Sequence, residues 1–332
     1  MEYTQDMITE MRASISLEGV YAARKVIEDF LSPTPLLEHP LLIEALGFPI
    51  HVKHENHLPT GAFKIRGGYN YMARLSDDER AIGVITATRG NHGQSIALAA
   101  RDFGVRAVIV VPHGNNPEKN AAIRAFGAEL VEYGKDYDEA REYCGALMEK
   151  EGLRYIHSGN EPDLIHGVGT YNLEILEALP EIDTIILPIG GGSSVCGAIT
   201  VYRALKPEVR IIGVQAANAP CVYESWKAGH VVTTESADTF ADGLATRVPM
   251  ELPLSIISDE IDEIITVTEE EIRRAAKLII TTTHNLAEGA GAASIAGAYA
   301  IREQLAGKTV VAVLSGGNLA RDTLRWVLEA QD

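Results

Sequence analysis

The sequence has no apolar run near the ~18 residues needed to cross a bilayer. It opens Met1-Glu2-Tyr3-Thr4-Gln5-Asp6, acidic where an export signal is basic and then apolar. Cysteine is scarce: Cys144, Cys196 and Cys221 are scattered, odd in number and never spaced as CxxC. Such a set supports neither a disulfide framework nor a cysteine zinc site, and it fits a reducing cytoplasm. Positive charge is short as well, with 29 lysines and arginines against 46 acids and a net charge of −17. Without a basic surplus, nucleic acid and anionic membrane are poor partners, although a locally positive site can still take a small anion. Neither HExxH nor GxxxxGK[ST] occurs, which removes the zinc-protease and P-loop readings. Internal repeats, low-complexity stretches and a linker rich in Gly, Pro or Ser are missing too.

What is present is an ordinary globular composition, 46% hydrophobic and 23% charged over 332 residues, long enough for two domains. Short apolar runs alternate with longer amphipathic ones. Strands are predicted at 82–86, 107–111, 129–132, 183–187, 210–214 and 309–314, with helices at 93–103 and 116–126. Apolar strands alternating with helices predict an α/β chain of two open parallel sheets, each a three-layer domain covered on both faces. The expected borders are a large discontinuous domain, 1–75 with 161–332, and a small mobile domain, 76–160. Ligands of such sheets bind in the turns at the carboxyl ends of strands.

Four segments carry chemistry. In Pro59-Thr60-Gly61-Ala62-Phe63-Lys64-Ile65-Arg66-Gly67-Gly68, a lysine follows a glycine-bounded turn and opens a helix. The positive end of the helix macrodipole favours its neutral, nucleophilic amine, which suits Schiff-base chemistry with a carbonyl cofactor. The turn Thr88-Arg89-Gly90-Asn91-His92-Gly93-Gln94 places a glycine-bracketed polar set at a helix start, where backbone amides can hold a carboxylate. Gly93-Gln94-Ser95-Ile96-Ala97 resembles a hydrolase elbow, but its serine is expected inside the helix and not at the turn's apex. Gly190-Gly191-Gly192-Ser193-Ser194 after a predicted strand can wrap a phosphate with bare backbone. The dinucleotide fingerprint fails there, because position 195 is Val195 and the next strand ends in Gln215, not an acid. The fourth turn is Ser315-Gly316-Gly317-Asn318.

Together with Ala241-Asp242-Gly243 and Glu288-Gly289-Ala290-Gly291-Ala292, these segments occur in the order of the threonine/serine dehydratase and serine racemase family, which they resemble over most of the chain. The resemblance implies a tryptophan-synthase-β-like fold, pyridoxal 5'-phosphate as cofactor, a small amino-acid substrate and a homodimer or higher homo-oligomer. It makes Lys64 the Schiff-base lysine and then the base for the α-proton. Asn91 would hold the ring hydroxyl, Gly190, Gly191, Gly192, Ser193 and Ser194 the phosphate, and Ser315 the pyridine nitrogen. Phe63 would cover a ring face or pack in the core. Thr88, Arg89, Gly90 and His92 would meet the substrate. A neutral hydroxyl such as Ser315 leaves the ring nitrogen unprotonated and the ring a weaker electron sink, which favours β-elimination over transamination.

The sequence departs from the family at three places. Arg89 stands where relatives usually carry a serine, the racemases' second acid/base, and a guanidinium cannot take a proton at neutral pH. It could instead grip a carboxylate. Gln215, Ala219 and Cys221 stand where some relatives bind a divalent ion, so no divalent site is expected, and a monovalent cation held by carbonyls stays open. Ser193 replaces a fourth glycine and adds a hydroxyl to the phosphate loop. The chain ends soon after Asn318, so no C-terminal regulatory domain is expected, while a nucleotide effector between subunits stays open. The expected activity is a pyridoxal-phosphate-dependent ammonia-lyase that turns a β-hydroxy amino acid, threonine or serine, into a 2-oxo acid and ammonia through an aminoacrylate. A lyase for an acidic or bulky substrate such as 3-hydroxyaspartate is the alternative, followed by β-replacement, racemisation or a non-catalytic cofactor-binding regulator.

Overall fold

The computed structural model describes residues 3–135 and 137–331, and its chain divides into two compact units. The first comprises Met1–Leu31 and Phe63–Val168, the second Ser32–Ala62 and Gly169–Asp332. The strands in chain order are β1 Leu36–Glu38, β2 His51–His54, β3 Val84–Ala87, β4 Ala107–Val111, β5 Glu129–Glu132, β6 Arg154–Tyr155, β7 Thr184–Pro188, β8 Arg210–Ala216, β9 Glu263–Val267 and β10 Val310–Leu314.

The first unit is built on a four-stranded, fully parallel sheet in the order β5-β4-β3-β6. Every residue of β3 and β4 is buried, as expected of strands covered on both faces. Residues Ile82 and Gly83, anticipated as the start of β3, instead end the helix Asp77–Ile82, which a Ser76–Glu79 capping box begins and Gly83, at φ +104°, terminates. The helix Lys64–Arg74 packs on the helix Asn91–Asp102. Ser95 Oγ donates to the Lys64 carbonyl at 2.7 Å and occupies the space that a Gly68 side chain would need. This packing groups residues 63–75 with the small sheet.

The second unit carries a six-stranded sheet in the order β1-β2-β10-β7-β8-β9. It is not purely parallel: β1 runs antiparallel to β2 at the edge, while the other pairs are parallel. The buried strands β7 and β10 and the helix Gly289–Ala300, made almost wholly of Gly, Ala, Ser and Ile, meet in one core with Ile186, Ile212, Val214 and Leu314. Each fully buried Val, Leu or Ile there contributes about 1.5–3 kcal/mol. Strands β1, β2, β6 and β9 were not anticipated from the sequence. Among the described residues no helix is long and apolar enough to cross a membrane. The three cysteines are free and buried.

Candidate active site

In the first unit Lys64 is the first residue of its helix and extends its amine to the Ser158 carbonyl at 3.3 Å, with the Phe63 ring 5.3 Å from the nitrogen. Burial brings the amine's pKa down from 10.5 to about 8. The residue as a whole is half-buried. Desolvation is thus the cause of the shift, not the helix terminus.

The turn after β3 is tightly knit. Thr88, buried, accepts from the backbone N–H of Gly90 at 3.0 Å and of Gly93 at 3.3 Å, which folds the loop back onto the start of the helix Asn91–Asp102. Asn91 is the first residue of that helix and Ser95 lies inside it, so no hydrolase elbow forms. His92, expected to meet substrate, is buried, and its Nε2 lies 3.1 Å from Thr86 Oγ1. That hydroxyl also donates to the Ile156 carbonyl at 2.8 Å. Burial, then the charges of Lys64 and His157, push the His92 pKa down to about 3, so the ring is neutral. Arg89 is exposed.

In the second unit the turn after β7 leads into the helix Ser193–Leu205, whose N-cap is Gly192 at φ +90° and which no side chain caps. A first helical turn without a cap leaves amide donors for an anion. Ser193 and Ser194 are buried, and Ser194 Oγ lies 2.7 Å from Tyr171 Oη. Gly190 lies so close to the Gly243 carbonyl that a side chain on it would collide there, and Gly291 lies equally close to the Gly316 carbonyl. The Gly190 loop, the Ala241-Asp242-Gly243 turn, the Glu288-to-Ala292 segment and the Ser315 turn therefore share one packed layer. Ser315 is buried directly after β10. Its turn is sewn to the segment before the lysine: Gly316 bridges Ala62, Gly317 N donates to the Gly61 carbonyl at 2.9 Å, and Asn318 Nδ2 to the Thr60 carbonyl at 2.8 Å.

Three further side chains are buried without any mark of it in the sequence. Lys119, 7% exposed, brings its side chain against Gly90 and so adds a positive charge beside the Asn91 turn. Glu161 and Glu288 are buried carboxyls next to the Ser158 and Ser315 turns, respectively. None could be found from pattern, because nothing in the sequence marks a lysine or glutamate as buried. Where relatives place a divalent ion, Gln215 Oε1 accepts from Tyr223 N at 2.8 Å and Cys221 Sγ lies 3.4 Å from Thr246 Oγ1. Among the described residues no cluster of three or more His, Cys, Asp or Glu side chains could hold a metal ion.

The profile described as pyridoxal-phosphate dependent enzyme matches residues 27–316. The chain belongs to that family. It is 38% identical over 305 residues to an L-threonine ammonia-lyase of Thermotoga maritima, covering 92% of this chain and 76% of the relative. Among solved structures it resembles the processed form of threonine deaminase isoform 2 from Solanum lycopersicum, at a TM-score of 0.90 and 34% identity over 99% of this chain and 94% of that one. It also resembles maize serine racemase, at a TM-score of 0.90 and 29% identity over 94% and 96% of the two chains. As a member of this family the protein uses pyridoxal phosphate. Its residues suit the group: a desolvated lysine for the aldehyde, an uncapped helix start with two buried serines for the phosphate, and a buried hydroxyl for the ring nitrogen.

Proposed function

We propose that the protein is a pyridoxal-phosphate-dependent L-threonine ammonia-lyase that also accepts serine as a β-hydroxy amino acid. The observation that carries the reading is Lys64, a desolvated amine held on a backbone carbonyl, in a chain 38% identical to an L-threonine ammonia-lyase. Relatives named for threonine do not favour the acidic-substrate alternative.

Pyridoxal phosphate, when bound, supplies an aldehyde that takes up an amine and a ring that accepts the electron pair released at the α-carbon. In this reading Lys64 Nζ carries the cofactor and then removes the α-proton. Only the neutral amine can do so, and burial already brings the cofactor-free amine's pKa down from 10.5 to about 8. The Thr88–His92 turn orients the substrate carboxylate, with Lys119 adding positive charge behind Gly90. Asn91 would hold the ring hydroxyl, Gly190 through Ser194 would hold the phosphate, and Ser315 would meet the ring nitrogen without charging it. Arg89 supplies no second base, so the α-proton is not returned on the opposite face and racemisation is disfavoured. Loss of the α-proton and the β-hydroxyl removes water, and the resulting enamine hydrolyses to a 2-oxo acid and ammonia.

The test is the purified protein with pyridoxal phosphate and a panel of L-threonine, L-serine and 3-hydroxyaspartate. Equal amounts of 2-oxobutanoate and ammonia are expected from threonine, and absence of a 2-oxo acid from every member would overturn the reading. A homodimer or higher homo-oligomer is part of the proposal, supported by the family resemblance and checked by light scattering. A cytoplasmic location is also proposed, supported by three buried thiols without a disulfide.

A further inference from the structure

Glu161 is the least expected group in the first unit: a carboxyl only 7% exposed, placed between two structures that both lead to Lys64. Its backbone carbonyl accepts from Leu164 N at 3.1 Å and starts the helix Pro162–Ala178, which fixes the residue from behind. Its side chain turns back, and Oε1 accepts from His157 N at 3.3 Å. His157 Nδ1 in turn accepts from Gly159 N at 3.1 Å and Asn160 N at 3.0 Å, closing the 157–160 turn on itself. The carbonyl of this turn that reaches outward is Ser158 O, the acceptor of the Lys64 amine. On the other side Glu161 Oε2 lies 3.6 Å from Arg154 Nη2, and both charges bear on Tyr71 of the lysine's own helix.

We propose that Glu161 is a positioning residue for Lys64: its carboxylate, held by Arg154, fixes the 157–160 turn that receives the lysine's amine. The inference rests on Lys64 being the cofactor lysine of the proposed function. Glu161 acts through the turn and not through its field, since burial alone accounts for the shift at Lys64.

The groups facing the carboxyl are Arg154 from β6, Tyr71 from the lysine's helix, Glu79 from the helix before β3, His157 from the turn and Asp163 from the following helix. Burial raises the Glu161 pKa to about 7 against the pull of Arg154 and the His157 N–H, while Asp163 and Glu79 push it further up. Above that pH the carboxylate holds Arg154 and the turn. Below it the group is neutral and its grip on Arg154 is lost. The lysine's setting therefore changes in the neutral range, ahead of its own titration near 8.

The experiment uses competitive acetylation of the cofactor-free protein across pH 5.5–9.5, with Lys64 modification read by peptide mass spectrometry. Wild type should show two inflections, near 7 and near 8, and Glu161→Gln only the upper one. In the loaded enzyme Glu161→Gln should lose roughly 10-fold in kcat with little change in KM, together with the inflection near 7 in the kcat profile. Glu161→Asp, which keeps the charge, should keep the lower inflection while labelling more slowly. If Glu161→Gln does not fold, Glu161→Asp carries the test. Labelling profiles of the variant superimposable on wild type overturn the proposal. Borohydride trapping of the cofactor on a lysine other than Lys64 overturns the proposed roles instead, and the labelling result then still stands for the turn.

Discussion

The two units contribute candidate residues of opposite character. The first buries groups that ionise: Lys64 with a pKa of about 8, Glu161 at about 7, and Arg154, with His92 held neutral among them. The second offers Gly190, Gly191, Gly192, Ser193, Ser194 and Ser315, none of which titrates near neutrality. Both use the start of a helix, and the chemistry diverges from there. A desolvated amine is a reagent, because burial makes its proton labile. A glycine–serine turn is a holder, because amides and hydroxyls bind an anion at any neutral pH. Substitutions in the first unit should therefore alter the pH dependence of turnover, and substitutions in the second should alter cofactor affinity while leaving the pH profile alone.

The sharpest break is Lys64→Met. Turnover should fall by at least about 10³-fold, since both the covalent attachment and the base are removed. The cofactor-free protein should nevertheless melt higher. At neutral pH the folded chain buries a charged amine at a cost that the variant avoids. That cost is present below about 8 and disappears as pH climbs to 10.5, where the unfolded chain also loses the proton. The variant's advantage in Tm should shrink over that window, and a Tm difference independent of pH would contradict the burial argument.

Gly190→Ala probes the holding unit. The added methyl meets the Gly243 carbonyl, so the loop must move, at a cost of about 1–3 kcal/mol. Cofactor affinity should drop more than about 10-fold because the amides no longer converge. At saturating pyridoxal phosphate the kcat profile against pH should match wild type. A profile altered as in Glu161→Gln would erase the distinction between the units.

The same contrast explains what could be read from the sequence. The glycine-rich turns and the mainly apolar strands β3, β4, β7, β8 and β10 were legible, because composition alone encodes a bare backbone or a strand covered on both faces. Strand β2 was not. His51-Val52-Lys53-His54 looks solvated, yet Lys53 is buried against Glu174 at 2.5 Å and His54 against His39 at 2.8 Å, pairings that form only in the fold. β6, of two residues, and the half-polar β1 are too short to carry a period. Lys64 was legible by its neighbours in sequence, while Glu161 and Lys119 owe their surroundings to distant segments. The contact of the His92 ring with Thr86 was likewise not legible, because Thr86 belongs to the strand before the motif.

Arg89 is the smallest expected effect and the finest test of where the reagent unit ends. It follows Thr88, whose hydroxyl shapes the turn, but its own side chain is exposed. A guanidinium in water contributes about 0–1 kcal/mol through a surface ion pair, so Arg89→Ala should cost less than about 5-fold in kcat/KM for threonine. The same modest loss is expected for 3-hydroxyaspartate, measured beside it at equal pH and ionic strength. A selective loss on the doubly anionic substrate would mean that the side chain closes over the β-carbon in the bound state. The acidic-substrate reading would then regain its footing, and the reagent unit would include a residue that binds as well as those that titrate.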